Sequence, residues 1–181
     1  MGDLVTMRKN DDGLKEIINL LPEKTKMVEI GSYQGESTEI FAKSKKIKII
    51  HAVDPFEDGY DMVHHLAYQC AMSVVEEAFN QRISNYKSVI KHKMKSEDAV
   101  KLFADESLDF IYIDGNHFYE FVKKDIQMWF PKIKINGWIA GHDFQIKEVV
   151  NAVQHTLGVP DFVFQDFSWI FQKNNKLKLK K

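Results

Sequence analysis

Cysteine is nearly absent from this chain: Cys70 is the only one among 181 residues. No intrachain disulfide framework can form, which suits a reducing compartment. Proline and glycine are sparse, at four and nine residues, and no stretch rich in them divides the sequence. One domain over residues 1–181 is expected. An excess of either charge is also missing, because 25 Lys and Arg face 26 Asp and Glu. A dedicated nucleic-acid binder usually shows a basic domain, so no nucleic-acid partner is expected. No apolar run approaches the ~20 residues that span a bilayer. Residues 1–10 carry no apolar signal core, so a cytoplasmic protein without membrane association is expected. What the chain does have is 44% hydrophobic residues and length enough to bury roughly 70% of its unfolded surface.

Short apolar runs alternate with stretches of helical period. Leu14, Ile17, Ile18 and Leu21 mark a first helix within residues 1–25, capped by Asp11 or Asp12 and followed by Pro22. Residues 27–30 read as a buried strand, 35–44 as a helix and 47–53 as a second strand. Val63, Leu66, Ala67, Cys70, Val74 and Ala78 predict one long amphipathic helix over 60–80. It belongs to a helical insert over 56–80, placed near the substrate mouth. Residues 87–92 form a weaker strand, and Ser96 is read as the cap of a helix holding Ala99, Val100 and Phe103. Residues 110–113 are a strongly buried strand. Phe118, Phe121, Val122, Ile126, Trp129 and Phe130 form the next helix face, stopped by Pro131. Residues 137–143 read as a strand, Ile146 to Val153 as a helix, and 162–164 with 169–171 as a hairpin. The last nine residues hold five lysines and read as a solvated, frayed tail. This alternation implies an α/β fold, with a mostly parallel sheet and helices on both faces.

In open α/β sheets ligands bind beyond the carboxyl ends of the strands, so polar residues there carry the argument. The first strand ends in Glu29-Ile30-Gly31-Ser32-Tyr33-Gln34-Gly35-Glu36-Ser37. Gly31 and Gly35 frame a tight turn into a helix N-terminus, read either as a nucleotide-type cofactor loop or as an ordinary strand-to-helix loop. The dinucleotide pattern G-x-G-x-x-G is missing. Glu29, in a buried strand, needs a donor: a ligand ammonium or backbone N–H groups. Asp54 ends the second strand 23 residues after Gly31, where an acid can hold ribose hydroxyls; a turn role beside Pro55 is the alternative. Asp114-Gly115-Asn116-His117 and Gly141-His142-Asp143 end two further strands. A parallel sheet gathers their carboxylates and imidazoles at one edge, a set suited to a divalent metal or to general-base work. His51, His92, His155, His64 and His65 are read as structural or surface residues.

Taken together, these four runs resemble the class I S-adenosylmethionine-dependent methyltransferases. They are most similar to the small group that includes macrolide-sugar O-methyltransferases, with catechol O-methyltransferase more distant. The resemblance implies a Rossmann-like seven-stranded sheet with an antiparallel last strand. It implies that Glu29 faces the methionine amino group and that the loop with Gly31, Ser32 and Gly35 passes under the cofactor. By the same resemblance Tyr33 and Ser37 contact its methionine end, Asp54 holds the ribose and Ser96 lies beside the adenine. Asp114 and Asp143 become ligands of Mg2+ or another divalent cation, and His117 the base. Phe144 stands where the catechol enzymes carry an amide ligand, so the third donor comes from elsewhere, with His142 a candidate.

The expected activity is O-methylation of a small-molecule or saccharide hydroxyl, with S-adenosylmethionine as methyl donor. His117 and His142 are the catalytic candidates, and the cofactor set extends to Asp114. Two other readings stand beside it: a cofactor-binding protein without methyl transfer, and a nicotinamide-dependent dehydrogenase on a doubly wound sheet. Homo-oligomerisation is left open.

Overall fold

The computed structural model describes residues 12–60 and 70–180. The Asp11 and Asp12 side chains expected to cap the first helix, and residues 61–69 with His64 and His65, lie outside what is described.

Seven strands form one sheet in the order β3-β2-β1-β4-β5-β7-β6. They are β1 (Thr25–Ile30), β2 (Ile47–Asp54), β3 (Val89–Lys93), β4 (Leu108–Ile113), β5 (Ile133–Gly141), β6 (Phe162–Val163) and β7 (Trp169–Gln172). The first five run parallel. Strand β7, the last in sequence, inserts antiparallel between β5 and β6. The helices are α1 (Asp12–Leu20), α2 (Glu36–Lys43), α3 (Met72–Ile83), α4 (Ser96–Ala99), α5 (Tyr119–Trp129) and α6 (Lys147–Thr156).

The period-two alternation of strand side chains sorts the core into two layers. On one face Met27 of β1 packs with Leu14, Ile17 and Phe41 of α1 and α2. On the other, Val28 and Ile30 pack with Val122, Ile126, Val149 and Val153 of α5 and α6. Burial on both faces explains why the central strands are near-continuous apolar runs. The expected α/β architecture, with its antiparallel last strand, is the observed one.

Four local expectations are corrected. The helix expected over 60–80 is, among the described residues, only Met72–Ile83; its first N–H, that of Met72, is capped from a distance by Asp58 at 2.7 Å. Ser96 does not cap α4: Lys95 holds the cap position, and the Ser96 hydroxyl donates instead to Asp125 at 2.5 Å. Strand β5 stops at Gly141, because Asp143 takes a left-handed φ of 60° that no strand continues. The lysine tail is not frayed. Leu177 and Leu179 pack on the core, and the Lys180 amide donates to the Thr156 carbonyl at 2.8 Å, so apolar alternation within the tail outweighs its charge.

Candidate functional site

The loop after β1 is set by backbone. Gly31 has φ 84°, and a Cβ there would overlap the Asp114 carbonyl oxygen, so only glycine lets the tips of β1 and β4 approach this closely. The Gly31 amide donates to Val53 at 2.9 Å. Gly35, φ 81°, starts α2, and a Cβ there would come within 2.9 Å of the Phe79 ring. Between them Ser32 is buried, as is Ser37 in the first turn of α2. Tyr33, half-buried, takes φ 43°, and burial pushes its phenol pKa up.

Glu29 is fully buried. Its donor is the hydroxyl of Thr38, one turn into α2, a partner that strand-level reading did not name. Asp54, at the tip of β2, accepts the amides of Tyr33 at 2.9 Å and Phe56 at 2.8 Å. Burial raises its pKa, and those backbone hydrogen bonds oppose the shift. Those two amide contacts are the turn role weighed for Asp54 beside Pro55, and through Tyr33 they tie the tip of β2 to the glycine loop.

The tips of β4 and β5 bring Asp114, His117, His142 and Asp143 together. One ligand atom from each of Asp114, His117 and Asp143 lies within 4.8 Å of the others. His117 Nε2 is 2.7 Å from Asp143 Oδ2. His142 Nδ1 is 3.2 Å from Asp143 and 4.0 Å from Asp114. Burial pushes the Asp143 carboxyl pKa up, but the hydrogen bonds from His117 and His142 outweigh it and hold the group well below the usual carboxylate range. An ionised Asp143 only accepts, so it takes a hydrogen bond from His117 Nε2 in the tautomer that carries a proton there. Two carboxylates and an imidazole are a hard-to-borderline donor set that fits a divalent cation. His117 was expected as base with the metal held by the two aspartates; the fold places it inside the same cluster.

Ser96 is buried in a different arrangement. Its hydroxyl donates to Asp125 and accepts from the Trp129 indole at 2.8 Å. Burial raises the Asp125 pKa to about 7, against the lowering effect of the Ser96 bond. The sequence reading missed Asp125; an acid on the apolar face of α5, four residues before Trp129, was the available signal. His51 and His92, read as structural or surface residues, are partly buried and paired, with Nδ1 of His51 2.9 Å from Nε2 of His92.

Beside the cluster, the loops that carry His117 and Asp143 continue into α5 and α6. Between these helices lies an open groove of about 480 Å³ lined by Phe118, Tyr119, Phe121 and Glu148 among others. Phe118 and Phe121 are both exposed.

Residues 28–144 match the family described as a methyltransferase domain, and all four runs lie within or at the edge of that span. The chain is 30% identical over 71 residues to the uncharacterized protein y4gI of Sinorhizobium fredii, a match covering 39% of this chain and 8% of that protein. It is 26% identical over 121 residues to the uncharacterized protein R132 of Acanthamoeba polyphaga mimivirus, covering 65% of this chain and 51% of that one. The chain thus spans about half the length of one relative and less than a tenth of the other. Among solved structures, the O-methyltransferase NovP superposes with a TM-score of 0.65 at 16% identity, over 91% of this chain and 79% of that one. At that identity the likeness establishes the fold.

Proposed function

The chain belongs to the methyltransferase-domain family of class I enzymes, and from that premise we propose that it moves a methyl group from S-adenosylmethionine to a hydroxyl of a small molecule or saccharide. The observation that carries this reading is the convergence of Asp114, His117 and Asp143 within 4.8 Å, beside a glycine loop that only a Cβ-free residue permits. The cofactor supplies an electrophilic methyl on a sulfonium. Glu29, the Gly31 to Gly35 loop and Asp54 would hold it, since they offer buried carboxylates for its ammonium and ribose on either side of a turn built on left-handed glycines. A divalent cation on Asp114 and Asp143 would lower the pKa of the acceptor hydroxyl.

The protein's own part in the reaction is alignment and proton transfer. His117 takes the hydroxyl proton. Asp143 fixes the ring through its 2.7 Å contact and stabilises the imidazolium that forms. His142, whose Nδ1 lies 3.2 Å from the same Asp143 oxygen, is the second imidazole in reach. The aromatic groove by Phe118 and Phe121, which begins one residue after the base, offers an acceptor an apolar surface. The near-neutral charge of the chain speaks against a nucleic-acid acceptor.

The test is transfer of labelled methyl from S-adenosylmethionine to a panel of hydroxylated acceptors, with and without EDTA, paired with calorimetry of S-adenosylhomocysteine. Binding with transfer that EDTA suppresses is the expected result. Binding without transfer to any acceptor would favour a cofactor-binding protein instead. Preference for NAD over S-adenosylhomocysteine would return the dehydrogenase.

A further inference from the structure

The chain after Asp54 crosses the place where a ligand should lie. Strand β1 sits between β2 and β4, and chain order turns back there, running from β1 to β2 and β3 on one side and resuming at β4 on the other. Such a switch point leaves a crevice beyond the strand ends. Asp54 ends β2 on one side of it. Six residues later the Tyr60 carbonyl accepts a 3.0 Å hydrogen bond from Asn116 Nδ2, beyond β4 on the other side.

The Tyr60 ring is held between two walls. The Lys95 ammonium, on the turn after β3, lies 5.6 Å from its centroid. Phe121 of α5 meets it edge to face at 6.0 Å. Lys95 is also ion-paired with Glu57 of the same segment at 3.1 Å. Residues 55–60 are therefore fastened on both sides of the crevice.

Asn116 is buried and uses both ends of its amide. Its Oδ1 accepts the Phe118 amide at 2.9 Å, which shapes the turn carrying His117. Its Nδ2 holds the segment from β2. One side chain thus joins the cover of the crevice to the loop that bears Asp114 and His117. Gly59, with φ 78° and open space around it, is the point where the backbone can turn.

We propose that residues 55–60 form a strap that closes over the bound cofactor, and that Asn116 is the positioning residue that latches it. This rests on the cofactor reading above. Entry and exit of the cofactor then require the Asn116–Tyr60 bond to open and the Tyr60 ring to leave its two walls.

The experiment is stopped-flow release of S-adenosylhomocysteine from the full chain and from variants. Asn116→Asp keeps the acceptor for Phe118 and loses the donor for Tyr60. Gly59→Pro forbids the positive φ of the closed strap without touching the turn of His117. Each is expected to speed release about tenfold, the size of one hydrogen bond. Gly59→Pro is also expected to raise the KM for S-adenosylmethionine more than it lowers kcat, a split that general loss of structure does not produce. Circular dichroism checks folding, and either folded variant suffices to decide. Release within about twofold of the unmodified chain in the folded variants overturns the strap. Failure of the unmodified chain to bind S-adenosylhomocysteine overturns the cofactor reading, and the strap with it.

Discussion

The two halves of the sheet's carboxyl edge are built differently. Around β1 and β2 the site is backbone: left-handed glycines, amides donating to Asp54, and one buried acid answered by a hydroxyl. Around β4 and β5 it is side chain: two aspartates and two imidazoles that approach one another within 4.0 Å. The difference teaches where each half is vulnerable. A backbone-built loop tolerates most side-chain changes and fails when its φ angles are forbidden. A side-chain cluster keeps its fold when one member is trimmed and loses its chemistry.

The largest expected effect breaks the first half at its contact with the second. Gly31→Ala sets a Cβ onto the Asp114 carbonyl at a φ alanine rarely adopts, so either β1 or β4 must move. The expected cost exceeds about 3 kcal/mol in urea unfolding, with loss of S-adenosylhomocysteine binding. A stable variant with normal binding would mean the strand tips are not in the close contact described here.

Next comes the second half. His117→Ala is expected to lower turnover by about a hundredfold to ten-thousandfold, with S-adenosylhomocysteine affinity changed only a few-fold. His142→Ala removes the longer contact to Asp143 and should lower turnover less. If the two effects come out in the reverse order, His142 is the base and His117 belongs with the metal ligands.

How legible this was in the sequence follows the same division. Gly31, Gly35, Asp54 and the β4 and β5 tips were readable because turn chemistry and strand ends are local signals. The role of Asn116 was not, since its partners Tyr60 and Phe118 are 56 and two residues away and a buried Asn has no signature of its own. Ser96 misled because a serine ahead of an apolar run normally caps. Asp125 offered its hydroxyl a partner 29 residues away, and long-range pairing overrode the local preference. The 60–80 helix misled because helical period does not reveal where a helix starts, and Asp58 fixes that start from the preceding loop.

The remaining expected effects are on stability as a function of pH, and they separate the halves by sign. In the first half, burial and the charge of His92 depress the His51 pKa to about 4 from its ordinary 6.5. Lys26 acts in the same direction, and Phe103 packs on the ring at 4.9 Å. The unfolded chain binds this proton before the folded one does. Stability from this group is therefore complete above about pH 6.5 and drains as pH falls toward about 4. In the second half, burial raises Asp125 to about 7 from 3.8. Here the folded chain keeps a proton that the unfolded chain releases, so stability is complete below 3.8 and is lost as pH rises through about 7. His51→Gln should accordingly gain in Tm over the unmodified chain as the buffer is made more acidic. Asp125→Asn, which retains an acceptor for Ser96, should gain as it is made more alkaline. Melting both variants beside the unmodified chain between about pH 4 and about pH 8 reads the two slopes. Slopes of the same sign would mean that one of these groups carries, in the folded state, the charge that its surroundings here oppose.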